Sequence, residues 1–561
     1  MTCRRRRPGR AAVLPVALPV AAALVVTACS APVAEPDAQV PTVTVTPTPQ
    51  DVRSPAPPPD VPVLGAYGVS SGHPLASRAG MEILEQGGTA VDAAIATAFA
   101  DAVMQPASSG IGGGGATIVV TDGEALHYDY REVVNAQGVV PPSGTGVPGF
   151  VAGMAELHAE HGALDWSDLL QPAIVIAEDG GPVSAYLART IDSRLGRSVT
   201  SGLEHFTRSG GGPLREGDPL VQTELAATMR TLAEEGPQAL YTGSLAPALT
   251  AVEGIDAATL ESYAVQRAEP ARGPVGDYVM LSGAPALPGA AIIQMVQVAE
   301  AAGIGALDPA SADFVELQSR AWQVADESVQ TWFGDPDFVD VPVDELTDPE
   351  ANAAIAAGLG DATTTSAGPA YDGAANTTHI SVVDADGTAV SMTNTITNYW
   401  GSGQYVAGFF MNDQLARFGD IGADANRPEP GRRSVTWSSP SMLLDAEGRP
   451  VLVVGTPGGR QIPNTTAQVV TLWALHDLDL EPAVRAERFL LSDGELRLES
   501  DRLADELRAR GYTVRVPNPA YPEVFGSVQA LEVDWDAGTV QGVADTRRSA
   551  GVETAVGIPG G

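Results

Sequence analysis

From Gly65 onward, apolar and polar positions fall into two regimes. Helical spacing runs through PLASRAGMEILEQGGTAVDAAIATAFADAVM (74–104), broken at Gly87-Gly88, and recurs at 149–160, 167–179, 222–235, 289–303 and 311–332. Between the first two helical stretches lie a glycine run, GIGGGG (110–115), and an apolar strand, ATIVV. Residues 337–375 are polar, acidic and turn-rich. Past 377 the period changes to two. THISVVD (378–384), the turn D-A-D-G and TAVSMTNTIT (388–397) predict a hairpin, and SMLLD (441–445) and PVLVV (450–454) predict another pair of strands. GTPGG then leads into a helix over 462–476, followed by a helix at 500–510 and strands at 513–516 and 528–534. No internal repeat is present. Helices and strands in both halves predict an α+β fold with sheets sandwiched between helices.

The first 63 residues do not share these patterns. RRRRPGR (4–10) precedes the apolar AAVLPVALPVAAALVV, which ends in Val26-Thr27-Ala28-Cys29. A basic start, a short apolar run and small residues read as a secretory signal. V-T-A-C resembles a bacterial lipobox, which makes Cys29 the lipidated first residue of the mature chain; an ordinary signal peptide or a single membrane anchor is the alternative. The Pro/Thr/Val-rich stretch that follows cannot build a core and reads as a stiff tether. The expected organisation is a signal over 1–28, a tether over 29–63 and a globular body held on the outer face of the cytoplasmic membrane. No later apolar run suits a bilayer span.

Composition narrows the chemistry. The 561 residues are 44% hydrophobic, enough for a sizeable core. The formal charge is −37, every basic residue is Arg, and only 27 of the 32 Arg lie beyond Cys29. Such an acidic surface repels phosphate backbones, which argues against nucleic acid as a partner, and the lack of Lys excludes a catalytic lysine. With two Cys, at 3 and 29, the body has neither a disulfide framework nor a thiolate metal cluster.

Three motifs are weak on context. Gly110 to Gly115 fits G-x-G-x-x-G, but a helix precedes it and a strand follows, the reverse of a dinucleotide fingerprint. Ser70 in GVSSG fits G-x-S-x-G, yet almost nothing but tether precedes it to supply an oxyanion loop. His158 and His161 lie one helical turn apart without a third ligand.

The hairpin carries more. If D-A-D-G closes it, Thr377 lies opposite Asn394 or Thr395, within cross-strand reach. Ser391, Thr393, Thr395 and Thr397 then share one face, which is either solvated or a polar site. Gly458 and Gly459 in GTPGG join a strand to a helix; the pair reads either as a plain turn or as backbone N–H groups aimed at an anion.

These residues belong to a longer series. GHPLASRAGMEILEQGGTAVDAAIATAFA, QPASSGIGGGG, YDYREVV, GVPGFVAGMAELHAEHG, DLLQPAIVIAEDG, ELAATMRTLAEEGPQALYTG, GDPDFVDVP, NTTHISVVDADGTAVSMT and GTPGGRQI, in this order, resemble the gamma-glutamyltranspeptidases of the N-terminal-nucleophile (Ntn) hydrolases. The resemblance spans essentially the whole globular part. It implies an αββα four-layer sandwich built jointly by two subunits of one self-cleaved chain: a large subunit over 64–376 and a small one over 377–561. The cut falls between Asn376 and Thr377. Freed by it, the α-amine of Thr377 titrates near ~8 and serves as base for its own hydroxyl. The resemblance also assigns Thr395 to the Thr377 hydroxyl and Gly458 and Gly459 to the oxyanion hole. No metal or organic cofactor is implied.

At the acyl end the pattern departs from the family. Arg131 in YDYREVV matches the Arg that grips the glutamyl α-carboxylate, and Gln414 in MNDQLARF is retained. Arg417 stands where the family has an Asp for the α-amino group, Thr397 where it has an Asn, Thr436-Trp437 where it has Ser-Ser, and Ala286-Leu287-Pro288-Gly289 where it has Ser-Ser-Gly-Gly. Arg for Asp reverses the sign of that contact. Three readings follow: a gamma-glutamyltransferase or glutathione-type hydrolase, passing the acyl group to water or an amine; an Ntn acylase for glutaryl or other carboxylate-bearing amides; and a lipoprotein that binds a ligand without turnover.

Overall fold

The computed structural model describes residues 64–360, 376–421, 424–518 and 522–557. The signal, Cys29 and tether expected over 1–63 lie outside the described residues. No helix among the described residues is long and apolar enough to cross a membrane.

In chain order the strands of the two main sheets are β1 Ala66–Ser71, β2 Gly114–Thr121, β3 Glu124–Asp129, β4 Gln266–Ala268, β5 Ala271–Val275, β6 Tyr278–Ser282, β7 Thr378–Val383, β8 Ala389–Thr395, β9 Ser441–Leu444, β10 Pro450–Gly455, β11 Gln529–Asp534, β12 Thr539–Gly542 and β13 Gly551–Val556. A seven-stranded sheet has the order β13-β1-β7-β8-β2-β3-β4, and a six-stranded sheet the order β12-β11-β10-β9-β6-β5. The principal helices are α1 Pro74–Glu85, α2 Ala90–Met104, α3 Phe150–His161, α4 Trp166–Asp179, α5 Gly289–Ala301, α6 Ala312–Trp332, α7 Pro349–Gly358 and α8 Gln461–Val470.

Three apolar clusters connect these parts. One joins Val69, Val119, Ile380, Val382, Val390 and Met392 of the first sheet to helices α1–α4. A second joins Met280, Leu443, Leu452 and Val454 of the other sheet to α5, α6 and α8. A third draws on both sheets, with Ile118, Val120, Val383 and Ala389 against Leu281, Met442, Val453 and Leu531. Helix α2 is buried along its whole length, as a helix without a polar face should be. It begins in a capping box in which the Thr89 side chain bonds the Asp92 N–H and Asp92 bonds back.

The hairpin β7–β8 has the expected register, with Val383 beside Ala389 and Thr378 beside Asn394. Both strands are buried on both faces. One face meets α2 through Ile380, Val382, Val390 and Met392. The other is apolar near the turn, at Val383 and Ala389, and polar further along, at Ser381, His379, Ser391 and Thr393. These polar groups are bonded rather than solvated: His379 Nδ1 lies 2.8 Å from Thr393 Oγ1, and the Ser441 N–H donates to Ser391 Oγ at 3.0 Å.

Two sequence expectations change. The acidic stretch read as turns contains α7, which starts where Asp348 Oδ1 accepts the Glu350 and Ala351 N–H groups and Pro349 takes the first turn. The Ala-rich run behind that cap outweighs the polar composition around it; residues 361–375 lie outside the described residues. The helix expected over 462–476 is α-helical only to Val470, and Thr471–Leu475 continue as a π-turn.

Candidate active site

The glycine run Gly112–Gly115 begins the site. A Cβ at Gly112 would stand 2.2 Å from the Phe410 carbonyl oxygen, at Gly113 2.2 Å from that of Thr395, and at Gly115 2.4 Å from that of Thr393. These glycines let three backbones close on the open end of the hairpin. This is their use, and no dinucleotide loop is formed. Ser70 lies within β1, paired with Ser381, and is no nucleophile elbow. His158 bonds the Leu164 carbonyl and His161 the Tyr128 hydroxyl; among the described residues no cluster could hold a metal.

At the end of the hairpin the register continues to Thr395 beside Thr377. Both hydroxyls donate to the Asn376 carbonyl oxygen, from Thr377 at 2.6 Å and from Thr395 at 2.7 Å, and lie 3.4 Å from each other. Thr395 Oγ1 is oriented in turn by the Thr397 N–H at 2.8 Å. Thr397 has φ 85°, a conformation that costs a β-branched residue about 1–3 kcal/mol. Its turn aims the Thr397 carbonyl at the Asn376 N–H (2.8 Å) and its hydroxyl at Gln414 Oε1 (2.6 Å). The chain is thus held on both sides of the Asn376–Thr377 peptide.

Beside Thr377 lies a narrow cavity of about 10 Å³, lined by Thr377, Thr395, Thr397, Gln414, Arg417, Thr436, Trp437, Ser438, Gly459 and Ile462. Eight of these are residues singled out from the sequence. Among the described residues on the wall, Arg417 brings the one guanidinium and there is no carboxylate. Asp413, in the field of Arg417, accepts instead from the Asn398 N–H and Nδ2 at 3.0 and 2.6 Å. Gly459 (φ 57°) reaches the cavity, whereas Gly458 (φ 141°) does not line it. The Gly458 and Gly459 N–H groups have no acceptor among the described residues. A larger cleft of about 310 Å³, near Phe489 and Arg502, holds none of the candidate residues.

Arg131 departs from its expected place as a substrate ligand. It is fully buried, does not line the cavity, and spends its guanidinium on Asp129 (2.9 and 2.5 Å) and the Ser434 carbonyl (2.6 Å). Burial alone would raise the Asp129 carboxyl, but Arg131 and Arg433 beside it hold it below the usual range. The sequence placed an Arg near the acyl site without revealing that an Asp two residues earlier occupies it. His379 stands at the heart of the NTTH motif, yet burial pushes its imidazole down to about 3 and its ring rests on Gly455. It is a neutral strut between sheets.

Sequence reasoning also missed the residues around the Asn376 side chain. Oδ1 accepts from Tyr186 Oη at 2.8 Å and Arg548 Nη1 at 2.6 Å; Nδ2 donates to Ser108 Oγ at 2.5 Å. Ser108 sits in the QPASSG motif, but no local signal marks Tyr186 or Arg548.

The profile of the gamma-glutamyltranspeptidase family matches residues 76–555. The chain is 33% identical over 490 residues to the capsule biosynthesis protein CapD proenzyme of Bacillus anthracis, covering 86% of this chain and 90% of that one. It is 34% identical over 511 residues to the glutathione hydrolase proenzyme of Pseudomonas aeruginosa, covering 82% and 90%. The cephalosporin acylase from Bacillus halodurans matches its fold with a TM-score of 0.78 at 25% identity, over 90% of this chain and 98% of that one. With Thr377, its hydroxyl partner Thr395 and Gly459 assembled at one cavity and the family profile matched over residues 76–555, the chain belongs to the gamma-glutamyltranspeptidase family of Ntn hydrolases.

Proposed function

We propose that this enzyme cuts itself between Asn376 and Thr377 and then cleaves amides of a carboxylate-bearing, γ-glutamyl-type acyl group. The observation that carries the self-cleavage is the pair of hydroxyls on the Asn376 carbonyl. Thr377 Oγ1 attacks that carbonyl carbon while Thr395 donates to the developing oxyanion. The C–N bond breaks, the hydroxyl proton passes to the Thr377 nitrogen, and an ester remains. Water hydrolyses the ester, leaving a carboxylate on Asn376 and a free amine and hydroxyl on Thr377. The resulting large (64–376) and small (377–561) subunits stay together as a four-layer αββα sandwich, a reading supported by the three apolar clusters.

In the mature site the Thr377 amine takes the proton of its own hydroxyl as the latter attacks a substrate carbonyl. The Gly458 and Gly459 N–H groups hold the oxyanion, the leaving amine takes the proton, and the acyl group passes from Thr377 to water or a second amine. Arg417 receives the acyl carboxylate. The glutathione hydrolase name of one relative supports a γ-glutamyl acyl group. A glutaryl amide is the second reading, favoured by the lack, among the described residues, of a carboxylate on the cavity wall to meet an α-ammonium and by the acylase name of the structural relative. The lipobox at Cys29 supports attachment to the outer face of a bacterial cytoplasmic membrane.

Intact mass of the purified chain tests the first half. Two fragments are expected, the smaller beginning at Thr377, and a single chain for Thr377→Ala; an uncut wild type refutes self-processing. Turnover of a γ-glutamyl anilide beside a glutaryl anilide tests the second half, and exclusive use of the glutaryl compound replaces the first substrate reading with the second.

A further inference from the structure

The Asn376 side chain is enclosed on every polar edge. Its Oδ1 accepts from Arg548 Nη1 (2.6 Å), Tyr186 Oη (2.8 Å) and the scissile Thr377 N–H (2.9 Å). Its Nδ2 donates to Ser108 Oγ (2.5 Å) and faces the Ala107 carbonyl at 3.4 Å. Donors on one side and acceptors on the other read a carboxamide; a carboxylate would turn its second oxygen onto the Ala107 carbonyl. The Arg548 guanidinium also lies over the Tyr186 ring, 5.0 Å from its centre, so the two donors hold each other in place.

Arg548 comes from the far end of the chain. The segment carrying it is pinned just upstream, where Asp545 accepts from Arg488 Nη2 at 2.6 Å and Arg547 Nε bonds Glu499 at 2.5 Å. Downstream it runs into β13, which pairs residue by residue with β1, Gly551 beside Ser71. The segment that brings the guanidinium to Asn376 thus continues directly into the strand added to the sheet beside the first. Arg548 is absent from the wall of the substrate cavity.

We infer that Arg548 is a positioning residue for self-cleavage: with Tyr186 and Ser108 it grips the carboxamide of Asn376, and so couples the cut to docking of the C-terminal strand. A chain whose small subunit is unfinished then stays whole, which prevents release of a large subunit with nothing to hold it. The inference rests on the self-cleavage proposed above and is independent of the acyl substrate.

The test follows conversion of freshly synthesised full-length chain to two fragments by intact mass, with no substrate added. Arg548→Ala is expected to slow the cut on the order of 100-fold through misplacement of the scissile peptide. Arg548→Lys, which keeps a cationic donor, recovers part of that rate, and Tyr186→Phe slows it less. In an Asn376→Ala background Arg548→Ala adds less than about twofold, because the contact it removes is already gone. Thermal midpoints in the uncleavable Thr377→Ala background report whether each precursor folds. Where Arg548→Ala does not fold, Arg548→Lys and Tyr186→Phe decide the matter, each expected to cut more slowly than wild type. Wild-type cutting by the folded variants overturns the inference, as does an equal slowing by Arg548→Ala with and without Asn376. A wild-type chain that stays whole overturns self-processing itself, and this inference with it.

Discussion

The two sides of Thr377 are built on different principles. On one side each polar group of Asn376 has a partner within 3.4 Å, and the Asn376–Thr377 peptide is held by Thr395, Thr397, Tyr186, Ser108 and Arg548. On the acyl side, hydroxyls and one guanidinium face a small cavity. In the proposed self-cleavage the first arrangement serves one substrate, its own chain, presented once and always in the same geometry. The second, in the function proposed above, must admit and release many molecules, and its wall carries one guanidinium among the described residues. The nucleophile and its supports accordingly follow the family pattern, whereas the groups that choose the acyl group depart from it.

The comparison can be broken at its strongest point first. Thr395→Val preserves shape but removes the donor to the Asn376 carbonyl and the acceptor for the Thr397 N–H. Conversion to two fragments, followed by mass, should slow by about 10²–10³-fold, the usual cost of one oxyanion donor. Unchanged processing would mean that the carbonyl is activated from elsewhere.

Next is the charge on the acyl side. Arg417→Asp restores the family's sign at that position and should shift the preference between γ-glutamyl and glutaryl anilides toward the γ-glutamyl compound by about 2–3 kcal/mol in relative kcat/KM. No shift would show that Arg417 does not meet the acyl group.

The smallest effect concerns stability behind the acyl site. Glu132, fully buried beside Arg131 with both carboxyl oxygens unpartnered among the described residues, is pushed by burial from its ordinary 4.5 up to about 8. An acid that keeps its proton in the fold and loses it on unfolding makes stability fall as pH rises between those values. The buried His73 and His127, lowered by burial to about 4, act in the opposite sense, but only below their ordinary 6.5. Between pH 6.5 and 8 Glu132 should therefore remove about 2 kcal/mol of stability. Denaturant midpoints across that range should decline for the wild type and decline less for Glu132→Gln; parallel curves would place the Glu132 proton elsewhere.

Much of the nucleophile side was legible in the chain because its geometry is local. A D-A-D-G turn and alternating strands put Thr377 opposite Asn394 or Thr395 by register alone; the observed pairing, Thr378 beside Asn394, and the 3.4 Å between the Thr377 and Thr395 hydroxyls favour Thr395. The helices over 149–160, 167–179, 222–235 and 311–332 likewise follow from spacing and end within a residue of expectation. Arg131 was misplaced because motif position says nothing of competing partners: Asp129 reaches its guanidinium first. The choice left open for the Ser391–Thr397 face, solvent or polar site, depended on the second sheet, which meets Ser391 and leaves Thr395 and Thr397 on the cavity wall.

By itself the sequence determined the helical and strand periods, the hairpin register, the candidate nucleophile and the reversed charge at position 417, since each is set by neighbours or by residue type. Only the tertiary structure decided that Arg131 is internal, that Arg417 stands on the cavity wall, and that Arg548 from the last segment reaches Asn376 across 172 positions. Those contacts depend on how sheets and strands are ordered in space, and a guanidinium's role is set by whichever carboxylate or carbonyl the fold brings to it.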